Sequence, residues 1–379
     1  MERTVVHMDM DTFFVSCERL VNSQLQGIPL IIGGSSDRGV VASCSYEARK
    51  YGVRSAMPMK MALRLCPQAK VVKGDMQLYA SQSRIVTEII QEEAPVLEKA
   101  SIDEFYMDIS GMDRFFGNYK WTVELTQRIT RETGLPVSFG LSVNKTVSKM
   151  ATSEGKPTGK IHIDQPQVQP FLNPLSIRKI PQLGTATFTL LSRIGVRKIE
   201  TLSQMPVEYV QQLIGKNGKE LWKKANGIDF TPVEPYSERK SISTERTFEQ
   251  DTIDIYWMKG ILTGMVEKLG FQLRQENWLT SCVVVKIRYN NFDTETKQHR
   301  ITYTACDHIL IEQVKNLFDK LYTRRMRIRL IGISFSGLVR GNYQINLFED
   351  TSEQMKLYQA MDNIKKRFGE NAIKRSITL

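Results

Sequence analysis

The chain has 379 residues, 41% of them hydrophobic and 25% charged, with a formal net charge of +11. Such proportions belong to a folded globular protein of roughly two to four domains. No apolar run approaches the roughly 18 residues of a membrane span, and the first residues lack the apolar stretch of a signal peptide, so no membrane partner and a cytoplasmic location are expected. Cys17, Cys44, Cys66, Cys282 and Cys306 are scattered without CxxC spacing, which argues against a disulfide framework and a structural zinc site. Residues 166–340 hold 26 Lys and Arg against 17 Asp and Glu, whereas residues 1–165 hold 20 against 19. A neutral first part followed by basic modules suits a protein that tracks a polyanion such as nucleic acid; a well-solvated surface is the plainer alternative.

In chain order, residues 3–10 read as a short strand and "TFFVSCERLVN" as the helix after it. "IPLII" and "GVVASC" follow as short strands, then helical "SYEARKYG" and "PMKMALRLC", and a long helix over about 75–93. Paired strands flank Asp103 and Glu104, followed by a helix over 120–133, the strand "PVSFGLS" and a helix over 144–154. With the insertion at roughly 11–75 set aside, the order is βαββαβ, the split-βαβ plan. Residues 166–228 show only short helices punctuated by "IPQLGTA", "SRIGVRKI" and "IGKNGK", which suits helix-hairpin-helix units whose turn amides bind phosphates. "DFTPVEPYSERK", within 229–240, reads as an exposed linker. Residues 241–340 repeat the βαββαβ order, with helices over 254–276 and 308–323. Beyond them lies a tail, 341–379, whose amphipathic "LYQAMDNIKKRFG" has no role legible in the sequence.

Adjacent carboxylates in strand sequence need a cation, a partner or solvent. Asp9 and Asp11 share one face of the first strand, and so does His7. Asp103 and Glu104 should point to opposite faces of a regular strand and serve one site only at a hairpin bend or bulge. Hard oxygen donors on two adjacent strands suit Mg²⁺ rather than zinc, and a pair of ions ~3.5 to 4 Å apart supports phosphoryl transfer. The plainer alternative is exposed hairpin acids. His7, a lone imidazole, is expected to be a satisfied neighbour rather than a ligand. Tyr46 and Arg49, at i and i+3, project from one helix face and suit an anionic substrate, and Lys156, on the loop after the 144–154 helix, is a candidate third contact, with a solvated charged face as the plainer alternative. Farther on, Lys286 and Arg288 share a strand face, and Arg324, Arg325, Arg327 and Arg329 cluster. All six are candidates for the backbone of a polyanion, with a solvated strand edge as the alternative.

"MDMDTFFVSCE", "YEARKYGVRSAMP", "ASIDEFYMDIS", "GLSVNKTVSKMAT", "GKPTG" and "RKSISTERTF" together resemble the Y-family lesion-bypass DNA polymerases, in particular the DNA polymerase IV type. The resemblance runs from residue 1 to about 348. It implies an α/β (α+β) right-hand polymerase: a catalytic, ferredoxin-like palm (1–10 and 76–165), a small fingers insertion (11–75), a helix-hairpin-helix thumb (166–228), a linker (229–240) and a βαββαβ little finger (241–340). Asp9, Asp103 and Glu104, with the backbone carbonyl of Met10, are then expected to bind two Mg²⁺ ions, and Asp11 has no metal role. Ser43, Tyr46, Arg49 and Lys156 match positions that hold the incoming triphosphate, and Gly34 and Ala42 the roof over the nascent base pair. Phe14 matches the steric gate that excludes a 2′-hydroxyl, with Phe13 beside it in the nucleotide site, although one of the two rings must pack inward at helical spacing.

The expected partners are primer-template DNA and dNTP, with the chain a monomer. Gln344, Leu347 and Phe348 in "YQINLFEDT" fit the Gln-x-x-Leu-Phe peptide by which bacterial polymerases bind the sliding clamp. The sequence departs from the family at "IPQLGTA", where the thumb turn usually reads closer to Pro-Gly-Ile-Gly. The implied function is template-directed, low-fidelity translesion synthesis. A mutagenesis-complex subunit needing accessory proteins, or a catalytically silent DNA- and clamp-binding paralogue, is the alternative.

Overall fold

A computed structural model describes residues 3–34, 36, 38–112, 117–235, 238–341, 351–369, 372, 373 and 375. The chain divides into two compact units, Met1–Ser237 and Glu238–Leu379. In chain order the first unit places β1 (Val5–Met10), an insertion with β2 (Leu30–Gly33), β3 (Val41–Cys44) and β4 (Lys70–Val72), then β5 (Val96–Lys99), β6 (Glu104–Asp108), β7 (Val137–Ser142) and β8 (Lys160–His162). β2 to β4 form their own small sheet, and the rest form a five-stranded sheet of order β5-β6-β1-β7-β8. Its antiparallel core β7-β1-β6-β5 is the ferredoxin-like arrangement expected of the split-βαβ plan. β4 and β8, absent from the sequence-based expectations, are three-residue strands too short to show periodicity.

Alternation along β1 decides which face does what. Val6, Met8 and Met10 enter a core with the helices Met76–Glu93 and Asn118–Thr133. His7 and Asp9 therefore face the other way, toward the helix Lys145–Gly155, whose Thr152 Oγ1 pairs with His7 Nδ1 at 2.9 Å. That helix lies hard against the sheet because Gly140 on β7 has no side chain. A Cβ there would run into the Ser148 carbonyl oxygen and the Thr152 amide.

After Lys145–Gly155 come the short helices Thr185–Arg193, Ile199–Ser203, Val207–Ile214 and Asn217–Ala225, joined by turns in which Gly195 and Gly215 have φ of 86° and 79°. In the atypical turn Gln182 itself takes φ 71°, a conformation natural to glycine, and Lys224 Nζ donates to its Oε1 at 2.7 Å. Within the segment read as a linker, residues 229–234 are strapped to the first sheet rather than free. Arg3 donates to the Thr231 carbonyl at 2.6 Å, the Glu234 amide to Glu98 at 2.8 Å, and Val233 packs on Val5 and Tyr106.

The second unit holds β9 (Ser241–Thr252), β10 (Trp278–Tyr289), β11 (Thr294–Thr304) and β12 (Ile328–Arg340), with the helices Ile255–Gln275 and Asp307–Leu321 in the crossover positions. The chain order repeats βαββαβ, but the sheet order is β11-β10-β12-β9, unlike that of the first unit. Val283, Val285 and Ile287 of β10 point into the core with the helices. A further helix, Thr351–Phe368, was legible only as an amphipathic pattern. It is fixed by Arg274, which pairs with Asp362 and Asp307, each at 2.7 Å, and lies over the Tyr358 ring.

Candidate active site

The carboxylates gather where β1 meets the β5–β6 hairpin. Glu104 pairs with Asp9 across the strands, and Asp103 lies in the turn just before β6, its carbonyl accepting from the Met10 amide at 3.0 Å. The bend removes the alternation problem of adjacent strand acids. Ser101 organises it: its hydroxyl donates to Asp103 Oδ1 at 2.5 Å and accepts from the Asp103 and Glu104 amides at 3.2 and 3.0 Å.

Each flanking acid meets a lysine. Lys156 Nζ is ion-paired with Asp9 Oδ1, and Lys149 Nζ lies 2.6 Å from Glu104 Oε2. Burial pushes the Asp9 carboxyl up to about 6; Lys156 pulls against that rise, while the Asp103 and Glu104 charges add to it. Among the described residues no three His, Cys, Asp or Glu side chains are drawn close enough to hold one ion. The donor set nevertheless fits a hard divalent cation, because half-buried, mutually repelling carboxylates already attract ammonium groups into that place.

Asp11 has another task. Buried at 1% exposure, it accepts from Ser138 Oγ at 2.8 Å, from the Thr158 amide at 2.6 Å and from the Tyr46 hydroxyl at 3.3 Å. It ties the inserted subdomain and the Lys156 loop to the sheet, so sharing a face with Asp9 did not imply sharing its chemistry. His7 is likewise enclosed, its pKa driven down first by burial and then by Lys149, Lys156 and Lys145, and its Nε2 has no hydrogen-bond partner.

Three of the candidates for the triphosphate lie in the insertion. Ser43 lies on β3, and the helix Tyr46–Lys50, N-capped by Ser45, carries Tyr46 with the Arg49 guanidinium 4.9 Å from its ring centre. Gly34 and Ala42 are exposed. The two phenylalanines separate. Phe13 is 2% exposed, its ring packed in the core, while half-buried Phe14 stacks on Tyr79 with ring centres 4.3 Å apart and 12° between planes. Tyr79 is held in turn by donating to Glu18 at 2.6 Å. Lys149, Ser101, Ser138 and Tyr79 were missed because nothing in local spacing marks a side chain that acts by supporting another. Only the i, i+4 pair Lys145 and Lys149 left a trace in the sequence.

The basic candidates of the second unit do not form one row. Lys286 pairs with Glu245 at 2.7 Å across Gly332, and Arg288 donates to Thr294 at 2.8 Å, both on the sheet face away from the helices. Arg324 is held by Asp293 at 3.0 Å and Glu295 at 2.9 Å, Arg329 lies over Phe292, and Arg325 and Arg327 are exposed. Gln344, Leu347 and Phe348 lie outside the described residues.

Residues 8–153 match the impB/mucB/samB family model, and residues 239–347 match that family's C-terminal domain. The chain is 33% identical over 380 aligned residues to a DNA polymerase IV of Dehalococcoides mccartyi, covering 99% of this chain and 97% of the relative. It is 36% identical to one of Clostridium perfringens, covering 93% and 98%. Among solved structures, a chimera of the Y-family DNA polymerases Dbh and Dpo4 superposes with a TM-score of 0.80 at 27% identity, covering 89% of this chain and all of that one. An insertion ternary complex of Dbh DNA polymerase gives 0.65 at 25% identity, with the same coverage. Fold and relatives thus define a metal-dependent nucleotidyltransferase of the right-hand polymerase class. The chain belongs to the Y-family DNA polymerases, in the DNA polymerase IV group, whose activity is DNA-directed, translesion DNA synthesis. Among the described residues no helix is long and apolar enough to cross a membrane.

Proposed function

We propose that Asp9, Asp103 and Glu104, with the Met10 carbonyl, hold two Mg²⁺ ions, and that the chain extends a DNA primer with dNTPs opposite a template. The observation that carries the assignment is the meeting of β1 with the 100–103 turn and β6, which brings Asp9 and Glu104, 95 residues apart in sequence, onto neighbouring positions with ammonium groups against them. Bound there, Mg²⁺ supplies activation of the primer 3′-hydroxyl and charge compensation for the departing pyrophosphate. Lys156, Arg49, Tyr46 and Ser43 bind and orient the triphosphate, and Lys156 exchanges its Asp9 contact for a phosphate oxygen. Phe14 closes the space beside the sugar. Lys286, Arg288 and the arginines around 324–329 grip the duplex backbone, and the 344–348 peptide engages a sliding clamp, the polymerase acting as a monomer.

Primer extension by the purified chain with Mg²⁺ and dNTPs tests this reading and separates it from a silent paralogue or an accessory-dependent subunit. Asp103→Asn and Glu104→Gln are each expected to lose about a thousandfold in rate, the worth of a ~4 kcal/mol transition-state interaction, while retaining primer-template binding. Near-normal turnover in either would remove that residue from the site.

A further inference from the structure

Helix Lys145–Gly155 and the loop after it lay three lysines against acids on three successive strands. Lys145 pairs with Glu98 of β5 at 2.6 Å, Lys149 with Glu104 of β6 at 2.6 Å, and Lys156 with Asp9 of β1. The glycine-permitted contact at Gly140 and the His7–Thr152 hydrogen bond fix the helix, so the backbone that carries Lys145 and Lys149, one turn apart on one face, is held beside these acids. Lys145 serves an acid outside the proposed metal set and also lies over the Tyr106 ring. Lys149 is different, because its partner is a proposed ligand.

We propose that Lys149 is a positioning residue of the metal site, an internal cation that holds the Glu104 carboxylate and occupies the place of divalent charge until the ions load. The inference rests on Glu104 being a metal ligand. An ammonium and a divalent ion compete for the same carboxylate charge, so loading weakens or replaces the Lys149 contact with Glu104. The Lys149 and Lys156 charges offset part of the carboxylate charge gathered by Asp9, Asp103, Glu104 and the neighbouring Asp11, so a bare ion finds a partly neutralised site. Ion binding is thereby kept weak until the arriving triphosphate draws Lys156 away from Asp9. The pair with Glu104 is part-buried, with side-chain exposures of 29% for Lys149 and 24% for Glu104. There a screened charge still acts on a neighbouring ion.

The test is Mn²⁺ titration of the full chain by electron paramagnetic resonance, without DNA or nucleotide, beside thermal unfolding in EDTA and in Mn²⁺. Lys149→Met is expected to bind Mn²⁺ about tenfold more tightly than the wild type, since one repelling charge is gone. Its Tm falls in EDTA and recovers in Mn²⁺, because an ion bound only by the folded state stabilises it. Lys149→Arg should keep wild-type affinity. Lys145→Met should lose stability with no change in Mn²⁺ affinity, the pattern of a purely structural lysine. Equal or weaker Mn²⁺ binding by Lys149→Met overturns the proposal. Should the methionine variant not fold, the same tightening is required of Lys149→Gln. Glu104→Gln separates the two levels. Unchanged Mn²⁺ binding there sinks the ligand assignment, whereas weakened binding there with no tightening in Lys149→Met sinks only the role of the lysine.

Discussion

Two adjacent rings divide their work by 100° of helix rotation. Phe13 packs inward with Val15 and Tyr79, while Phe14 lies flat on Tyr79 at the mouth of the proposed nucleotide site. A ring held against C2′ admits hydrogen and clashes with a hydroxyl, and each ~1.4 kcal/mol of clash gives a tenfold preference for dNTP over rNTP. Phe14→Ala should raise ribonucleotide incorporation at least about tenfold, with dNTP use retained. Phe13→Ala should cost ~3 to 5 kcal/mol of stability and leave sugar choice alone. Measurement of kcat/KM for matched dNTP and rNTP in both variants decides it: relaxed discrimination in Phe13→Ala alone would exchange their roles. At this scale the inward packing of one of the two rings was legible from helical spacing. The part played by Tyr79 was not, because its contact with Phe14 spans 65 positions and leaves no periodic trace.

Elements were read well where the pattern is long. The helix expected over 75–93 is Met76–Glu93, the one over 254–276 is Ile255–Gln275, and the last strand closes at Arg340. What periodicity cannot report is where an element docks. The helix Thr351–Phe368 looked amphipathic but purposeless, because the charge that receives it, Arg274, is more than 80 residues away. That arginine is 11% exposed between Asp307 and Asp362, at 1% and 10%. Burial raises the Asp307 pKa, and Arg274 opposes the rise. Arg274→Met strands two buried carboxylates and should cost ~3 to 5 kcal/mol, the penalty of breaking a buried pair from one side. Asp362→Asn leaves Arg274 paired with Asp307 and should cost less. Urea unfolding of the full chain gives both values. Equal losses would mean that the two carboxylates do not share the arginine.

Across the whole molecule, charge segregation pointed to a polyanion, and the fold separates basic side chains held in ion pairs from those left exposed. Lys286, Arg324 and Arg274 each face an acid, so they are poor choices for measuring a DNA interface. Arg325 and Arg327 are exposed at the turn leading into β12. Their neutralisation should weaken binding to any primer-template and flatten the dependence of log K on log salt by up to roughly 0.9 per lost phosphate contact. The proposed clamp peptide would give a different signature, since Leu347 and Phe348 are apolar and have no counterions to release. Changing both to Ala should leave clamp-free extension and its salt slope as in the wild type, and abolish stimulation by a loaded clamp. A double comparison, salt slope against clamp stimulation, makes the two modes of retention independent. If the arginine variant lost clamp stimulation at low salt with its DNA affinity intact, those arginines would belong to the clamp interface. If the Leu347 and Phe348 variant were stimulated as strongly as the wild type, the polymerase would hold the clamp elsewhere.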